Sequence, residues 1–149
     1  CGWRGYHTDK SITFYFGDLD ENPKADLIRA AHEQCIALEK MTAELLRPGA
    51  VPAEIYEKIL AAVDPAFRDG FMNSCKFLGH SIGLTMDEAP VLAKGFNDPV
   101  VPGMTFAVEP KIALKGIGLI GTENTYEVTE DSAAKSLTGD CETGLEINY

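Results

Sequence analysis

Between Asn22 and Val63 the apolar positions recur at a helical spacing. Leu27, Ile28, Ala31, Cys35, Leu38, Met41, Leu45 and Leu46 keep a period near 3.6, which buries one face of a helix. Asn22-Pro23 predicts its start, with Asn as N-cap and Pro at the first helical position, and Arg47-Pro48-Gly49 stops it. A second helix begins near Pro52, carries Ile55, Ile59, Leu60 and Val63, and ends before Asp64-Pro65. A short helical stretch is expected from Ala66 to Asn73. The flanking pattern is different. Tyr6 to Phe16 mixes aromatic and β-branched residues and closes at Gly17, which reads as a strand or a hairpin arm. From Lys76 onward short apolar runs are punctuated by Gly and Pro, and strands are expected at Thr105 to Val108, Lys111 to Leu114, Leu119 to Ile120 and Glu123 to Thr129. Strand, two or three helices, then a β-rich half is an α+β plan in one domain. Neither a repeat nor a linker interrupts it.

Composition narrows the function classes. The 149 residues are 45% hydrophobic, enough for one real core. Thirteen basic against 23 acidic residues give a net charge of −10, which argues against nucleic acid and anionic membrane surfaces as partners. The same excess suits a protein that holds divalent cations. No apolar run approaches the ~20 residues of a membrane span, and the N-terminus is not signal-like, so a cytoplasmic location is expected. The chain opens at Cys1-Gly2-Trp3 without Met and is at once in strand-like sequence, as a cut through a larger protein would be. Cys1, Cys35, Cys75 and Cys141 are far apart and form no CxxC, so a disulfide framework is not expected. Cys35, on the apolar side of the first helix, reads as a small buried residue.

Polar residues in apolar, strand-like surroundings carry the candidate chemistry. They are Asp9, His80, Asp87 with Glu88, Glu109 and Glu123. Glu109 is the sharpest, because it follows Met-Thr-Phe-Ala-Val where a buried strand should end, and a buried charge is costly unless paired or metal-bound. Each has a plain structural explanation when taken singly: a strand-end Glu reaching water, a satisfied core His, a turn Asp, a Glu paired with Lys. Together they offer one imidazole and three carboxylates. Such an oxygen-rich set suits Mn²⁺, Co²⁺ or Fe²⁺ better than the Cys/His cages of structural zinc. It also suits two ions about 3.5–4 Å apart, since carboxylates can bridge them. Gly116-Ile-Gly118-Leu-Ile-Gly121 fits GxGxxG, but a dinucleotide site needs a helix directly after it, and Thr122 to Thr129 reads as a strand. The glycines are better read as turns.

The ordered motifs Asp9-Lys10, Gly79-His80-Ser81-Ile82-Gly83-Leu84, Asp87-Glu88-Ala89-Pro90, Pro102 to Pro110 (Pro-Gly-Met-Thr-Phe-Ala-Val-Glu-Pro) and Gly121 to Thr129 (Gly-Thr-Glu-Asn-Thr-Tyr-Glu-Val-Thr) run through nearly the whole chain. In this order they resemble the pita-bread metallopeptidases: methionine aminopeptidase, aminopeptidase P and prolidase. Val-Glu-Pro-Lys-Ile and Glu-Asn-Thr-Tyr-Glu-Val-Thr look closer to the Xaa-Pro enzymes. The resemblance implies a curved antiparallel sheet flanked by helices, of which residues 1–149 form mainly the C-terminal half, a partial catalytic domain. It implies a hydrolase, an aminopeptidase or dipeptidase that cleaves the bond before proline through a metal-bridging water. Asp9 and Glu123 would bridge two divalent ions, with Mn²⁺ expected first and Co²⁺, Fe²⁺ or Zn²⁺ as alternatives. His80 and Glu109 would complete the first ion's shell, and Glu109 would also shuttle a proton to the departing amine.

Two positions depart from the family pattern. A further Asp ligand is expected eleven residues before Asp9, which falls ahead of Cys1 and outside this chain. Where many relatives carry a substrate-facing His, seven residues after the ligand His, this chain has Asp87, here assigned a catalytic role alongside His80 and Glu109. Ile12 also replaces a common Arg. Since only one half of the fold is expected, its sheet should expose an edge that a preceding segment or a homodimer partner covers. A creatinase-like C–N hydrolase and a non-catalytic binding module on the same fold remain as alternatives.

Overall fold

The computed structural model describes residues 2–140 and 144–147, so Cys1 and Cys141 lie outside the described residues. The N-terminal arm is broken into short pieces: β1 (Gly2–Trp3), β2 (Tyr6–His7), β3 (Ser11–Ile12) and β4 (Tyr15–Phe16). One strand over Tyr6 to Phe16 is therefore corrected to three, because Thr8-Asp9-Lys10 leaves the extended ladder. The Asp9 amide donates to the Thr125 hydroxyl at 2.8 Å, and that hydroxyl donates back to the Asp9 carbonyl at 2.8 Å.

Helix α1 spans Ala25–Leu45, two residues later than Asn22-Pro23 suggests. The Asn22 side chain accepts from the Lys24 amide at 2.9 Å and forms a turn ahead of the helix rather than a cap on it. The buried face carries Ile28, Ala31, Cys35, Leu38 and then Leu46, whereas Leu27 is exposed and Met41 and Leu45 are only partly covered. Ala25, His32, Glu39, Thr42 and Ala43 take the remaining buried positions of α1. Helix α2 (Pro52–Ala62) has Pro52 in its first turn, where the missing N–H costs nothing. Instead of one short helix over Ala66 to Asn73 there are two single 3-10 turns, Arg68–Gly70 and Met72–Ser74. Positive φ at Met72, Asn73 and Ser74 prevents a continuous helix.

The second half builds a sheet from β5 (Phe77–Ser81), β6 (Glu88–Ala93), β7 (Thr105–Val108), β8 (Lys111–Leu114), β9 (Gly118–Glu127) and β10 (Lys135–Ser136), and β11 (Glu146–Ile147) pairs in parallel with β4. The main sheet runs β10-β9-β7-β5-β6, antiparallel throughout, with β3 and β8 also on β9. β9 is one ten-residue strand, not two, since Gly121-Thr122 continues the ladder against β8 and β3. The GxGxxG segment is accordingly the β8–β9 hairpin and the start of β9. Pro90 lies in β6, the edge strand, where a missing donor is tolerated. Helix α1 packs on β9 and α2 on β6, so the apolar core lies between the helices and one face of the sheet. The opposite face holds the polar residues. Among the described residues no helix is long and apolar enough to cross a membrane.

Candidate metal centre

Strand alternation separates two kinds of residue along β9. Asn124 and Tyr126 point to α1, where both donate to Oε1 of Glu39, at 2.7 and 2.8 Å. Glu123 and Thr125 therefore point the other way, toward Asp9. Val108 faces Asn124 and Lys111 faces Gly121 in a single register, which puts Glu109 directly opposite Glu123. The Thr122 amide donates to the Pro110 carbonyl at 3.3 Å across the same gap. On its other side Glu123 is paired with Ser11 of β3, whose hydroxyl donates to Oε2 at 2.9 Å.

His80 comes from β5, one strand beyond β7. The preceding Gly79 is required there, because a Cβ would run into the Ala107 carbonyl of the paired strand. His80 Nδ1 lies 3.1 Å from the Ser81 carbonyl, so its N–H can be used there and Nε2 is left to face the centre. Four adjacent stretches of chain (Asp9 before β3, β9, the β7–β8 junction and β5) thus each project one candidate ligand onto the same face.

Asp9, His80 and Glu123 each offer an atom within 4.8 Å of the other two. Glu109 Oε1 lies 3.7 Å from His80 Nε2, while its Oε2 is bonded by Lys111 Nζ. Asp87, on an exposed loop, reaches the same His80 nitrogen with Oδ1 at 3.0 Å. The structure thus brings Asp9, His80, Glu123, Glu109 and Asp87 into one place, with Glu109 set beside the tight cluster of three and Asp87 at its solvent edge, whereas Glu88 accepts from the Thr85 hydroxyl at 2.8 Å instead.

Electrostatics show what the cluster lacks. Burial first, and then the negative charge of Glu109, push the Glu123 carboxyl above its ordinary value; Asp9 adds to this, and Lys111 and Ser11 only partly oppose it. Like charges directly opposite in a sheet are unfavourable, and desolvation makes them more so. Burial lowers the Lys111 ammonium, but the hydrogen bond and charge of Glu109, with Glu123 and Asp9, outweigh it and leave the group above its usual range. Three carboxylates and an imidazole converge on less positive charge than they call for. A divalent cation fits this donor set in both charge and ligand type.

Three supporting residues are not among the candidates that the sequence names. Glu39 is fully buried, and its Oε2 has no hydrogen-bond partner among the described residues. It lies four residues after Cys35, on the face that the helical period already assigns to the core, and that conflict was the available signal. Asn124 Oδ1 accepts from Lys10 Nζ at 2.6 Å and from the Thr138 hydroxyl at 2.9 Å, which ties the Asp9–Lys10 turn to β9. Lys111 stands two residues from Glu109, so strand alternation alone puts both on one face.

The model of metallopeptidase family M24 matches residues 1–130. The chain belongs to this family. M24 enzymes use divalent metal ions, in keeping with the donor set described above. Among its M24 relatives the chain is 31% identical over 135 residues to PepE of Mycobacterium tuberculosis, covering 87% of this chain and 32% of that protein. It is 26% identical over 132 residues to the Xaa-Pro dipeptidase of Pyrococcus furiosus, covering 87% of this chain and 35% of the relative. In fold it matches the crystal structure of a dipeptidase from Pyrococcus horikoshii OT3 with a TM-score of 0.82 at 25% identity, over 98% of this chain and 38% of the other. The fold is pita-bread, and the chain spans about a third of the length of the curated M24 relatives it matches.

Proposed function

We propose that the chain carries the metal-binding part of an exopeptidase that cleaves the bond before proline, and that Asp9, His80, Glu109 and Glu123 are its metal ligands. The observation that carries this reading is the convergence of Asp9, His80 and Glu123 within 4.8 Å, with Glu109 facing Glu123 across the sheet. The name of the Pyrococcus furiosus relative supports the Xaa-Pro substrate. When bound, one or two divalent ions, Mn²⁺ first among them, supply Lewis-acid polarisation of a carbonyl and ready deprotonation of water.

The chain's own residues do the rest. Asp9, just before β3, and Glu123, on β9, hold the charge at the centre of the sheet. Glu109 keeps one carboxylate oxygen toward His80 and can accept a proton there and return it to the leaving amine. Asp87 sits on the solvent side of His80, where a substrate would enter. An ionised Asp accepts and does not donate, so its suited partner is a donor such as the substrate's N-terminal ammonium. The exposed rings of Tyr6 and Phe14 support cover by a further segment of a longer, partial catalytic domain or by a second copy.

The test is turnover of an Xaa-Pro peptide by the metal-loaded full-length protein and its Glu109→Gln variant. Loss of about 10²–10⁴-fold in kcat is expected for removal of a proton-transfer group. Unchanged turnover in the variant sinks the assignment.

A further inference from the structure

Lys111 is placed as carefully as the candidate ligands. It is the cross-strand partner of Gly121, and a Cβ on Gly121 would lie 2.6 Å from Lys111 Cγ. The bare glycine lets the lysine stem lie flat across β9 and carries the ammonium toward Glu123. Nζ bonds Glu109 Oε2 and stands 4.0 Å from Glu123 Oε2. Glu109 is the candidate ligand that this ammonium hydrogen-bonds, and it is also the one of the four missing from the group that converges within 4.8 Å. Lysine is a compact cation on a flexible four-carbon stem, able to leave one carboxylate without moving the backbone. Its side chain is partly exposed, so water can take it up when it leaves.

We propose that Lys111 is a resident counter-cation of the centre, competing with the divalent ion for Glu109, so that loading the metal exchanges an ammonium for an ion at that carboxylate. No covalent bond changes. One ionic contact is broken and another is made, and the ammonium turns to solvent or to substrate. The inference rests on the metal reading above and adds that the fourth ligand is obtained only against an internal competitor. It makes a prediction opposite in sign to that of a purely structural salt bridge. If Lys111 only propped Glu109 in place, removing it would weaken metal binding. If it competes, removing it tightens binding.

The experiment is titration of the chelator-treated full-length protein with MnCl₂, read by calorimetry and by the free Mn²⁺ paramagnetic signal. The proteins are wild type, Lys111→Met, Lys111→Gln and Lys111→Arg, with Lys94→Met as a control. Lys94 follows the far end of β6 from the centre, and its loss changes net charge equally. Tightening of about 10- to 100-fold is expected for Met and Gln, the worth of one hydrogen bond to a charged group. Arg and the Lys94 control should stay close to wild type. The Gln variant preserves a polar side chain should Met compromise folding. Weaker or unchanged Mn²⁺ binding in both neutral variants overturns the competition, as does equal tightening by Lys94→Met. If wild type and variants alike take up no Mn²⁺, the metal reading itself fails and the competition fails with it.

Discussion

Glu39 offers a direct test of how the sheet is supported from behind. It is a fully buried carboxylate in the middle of α1, and Oε1 accepts from Asn124 Nδ2 at 2.7 Å and from Tyr126 Oη at 2.8 Å. Glu39→Leu keeps the bulk and removes the acceptor. Two hydrogen bonds to a charged group contribute about 1.5–3 kcal/mol each. Against this stands the relief of burying a carboxylate whose second oxygen has no partner. Breaking one side of a buried polar network generally costs more than that relief, so a net loss of about 2–4 kcal/mol is expected. In urea, with a slope of about 2 kcal/mol/M for a domain of this size, the midpoint falls by about 1–2 M. Tyr126→Phe alone should cost less, because Asn124 keeps its acceptor. The double variant Glu39→Leu/Tyr126→Phe should be less destabilised than the two single losses added together, by about 0.5 kcal/mol or more, since acceptor and donor leave together. Urea unfolding of the four proteins by circular dichroism closes the cycle. A neutral or stabilised Glu39→Leu, or strict additivity, would refute the view that Glu39 ties β9 to α1.

Two further outcomes follow from the site. Glu123 is raised above the ordinary carboxylate value, so its protonated form is favoured by folding: its contribution to stability is present at acid pH and lost as pH rises through the raised value. In the metal-free protein Glu123→Gln should therefore raise the urea midpoint at pH 7, the gain vanishing below about pH 4; a destabilised variant at pH 7 would mean that the Ser11 and Lys111 contacts outweigh burial and the Glu109 charge. Gly79→Ala would push a methyl into the Ala107 carbonyl, with an expected cost of about 1–3 kcal/mol or more and weaker Mn²⁺ uptake through His80, both measurable on the purified variant, and wild-type behaviour would show that the β5–β7 spacing has slack.

Much of this architecture is legible in the chain. The helical period from Ile28 to Leu46 predicts α1, and Pro52 marks the start of α2. What escaped has physical causes. β5 and β6 are not marked as strands, because Gly79 and His80 interrupt one and Pro90 the other; tertiary pairing overrides weak local preference there. Asn22 acts as a turn residue before α1, because its side chain finds the Lys24 amide first. The buried side of α1 is broader than an apolar list suggests, since Thr42 donates to the Leu38 carbonyl and Glu39 accepts from Asn124 and Tyr126 inside it.

The site was legible as a set of residues but not as a geometry. Motif order names Asp9, His80, Glu109 and Glu123, yet nothing local says that Glu109 and Glu123 face each other, because that depends on strand register. Once the register is known, the rest follows from charge. Two carboxylates opposed across a sheet, with a third nearby and only one ammonium between them, are unfavourable unless something positive joins them. The face toward α1 shows the contrasting solution, in which Glu39 is met by neutral donors from Asn124 and Tyr126 and calls for no ion. One strand, β9, thus meets a carboxylate with two neutral donors on one side and carries an under-compensated group of carboxylates on the other. The under-compensated side is where a cation belongs, and Lys111 is the part of the chain that stands in its way.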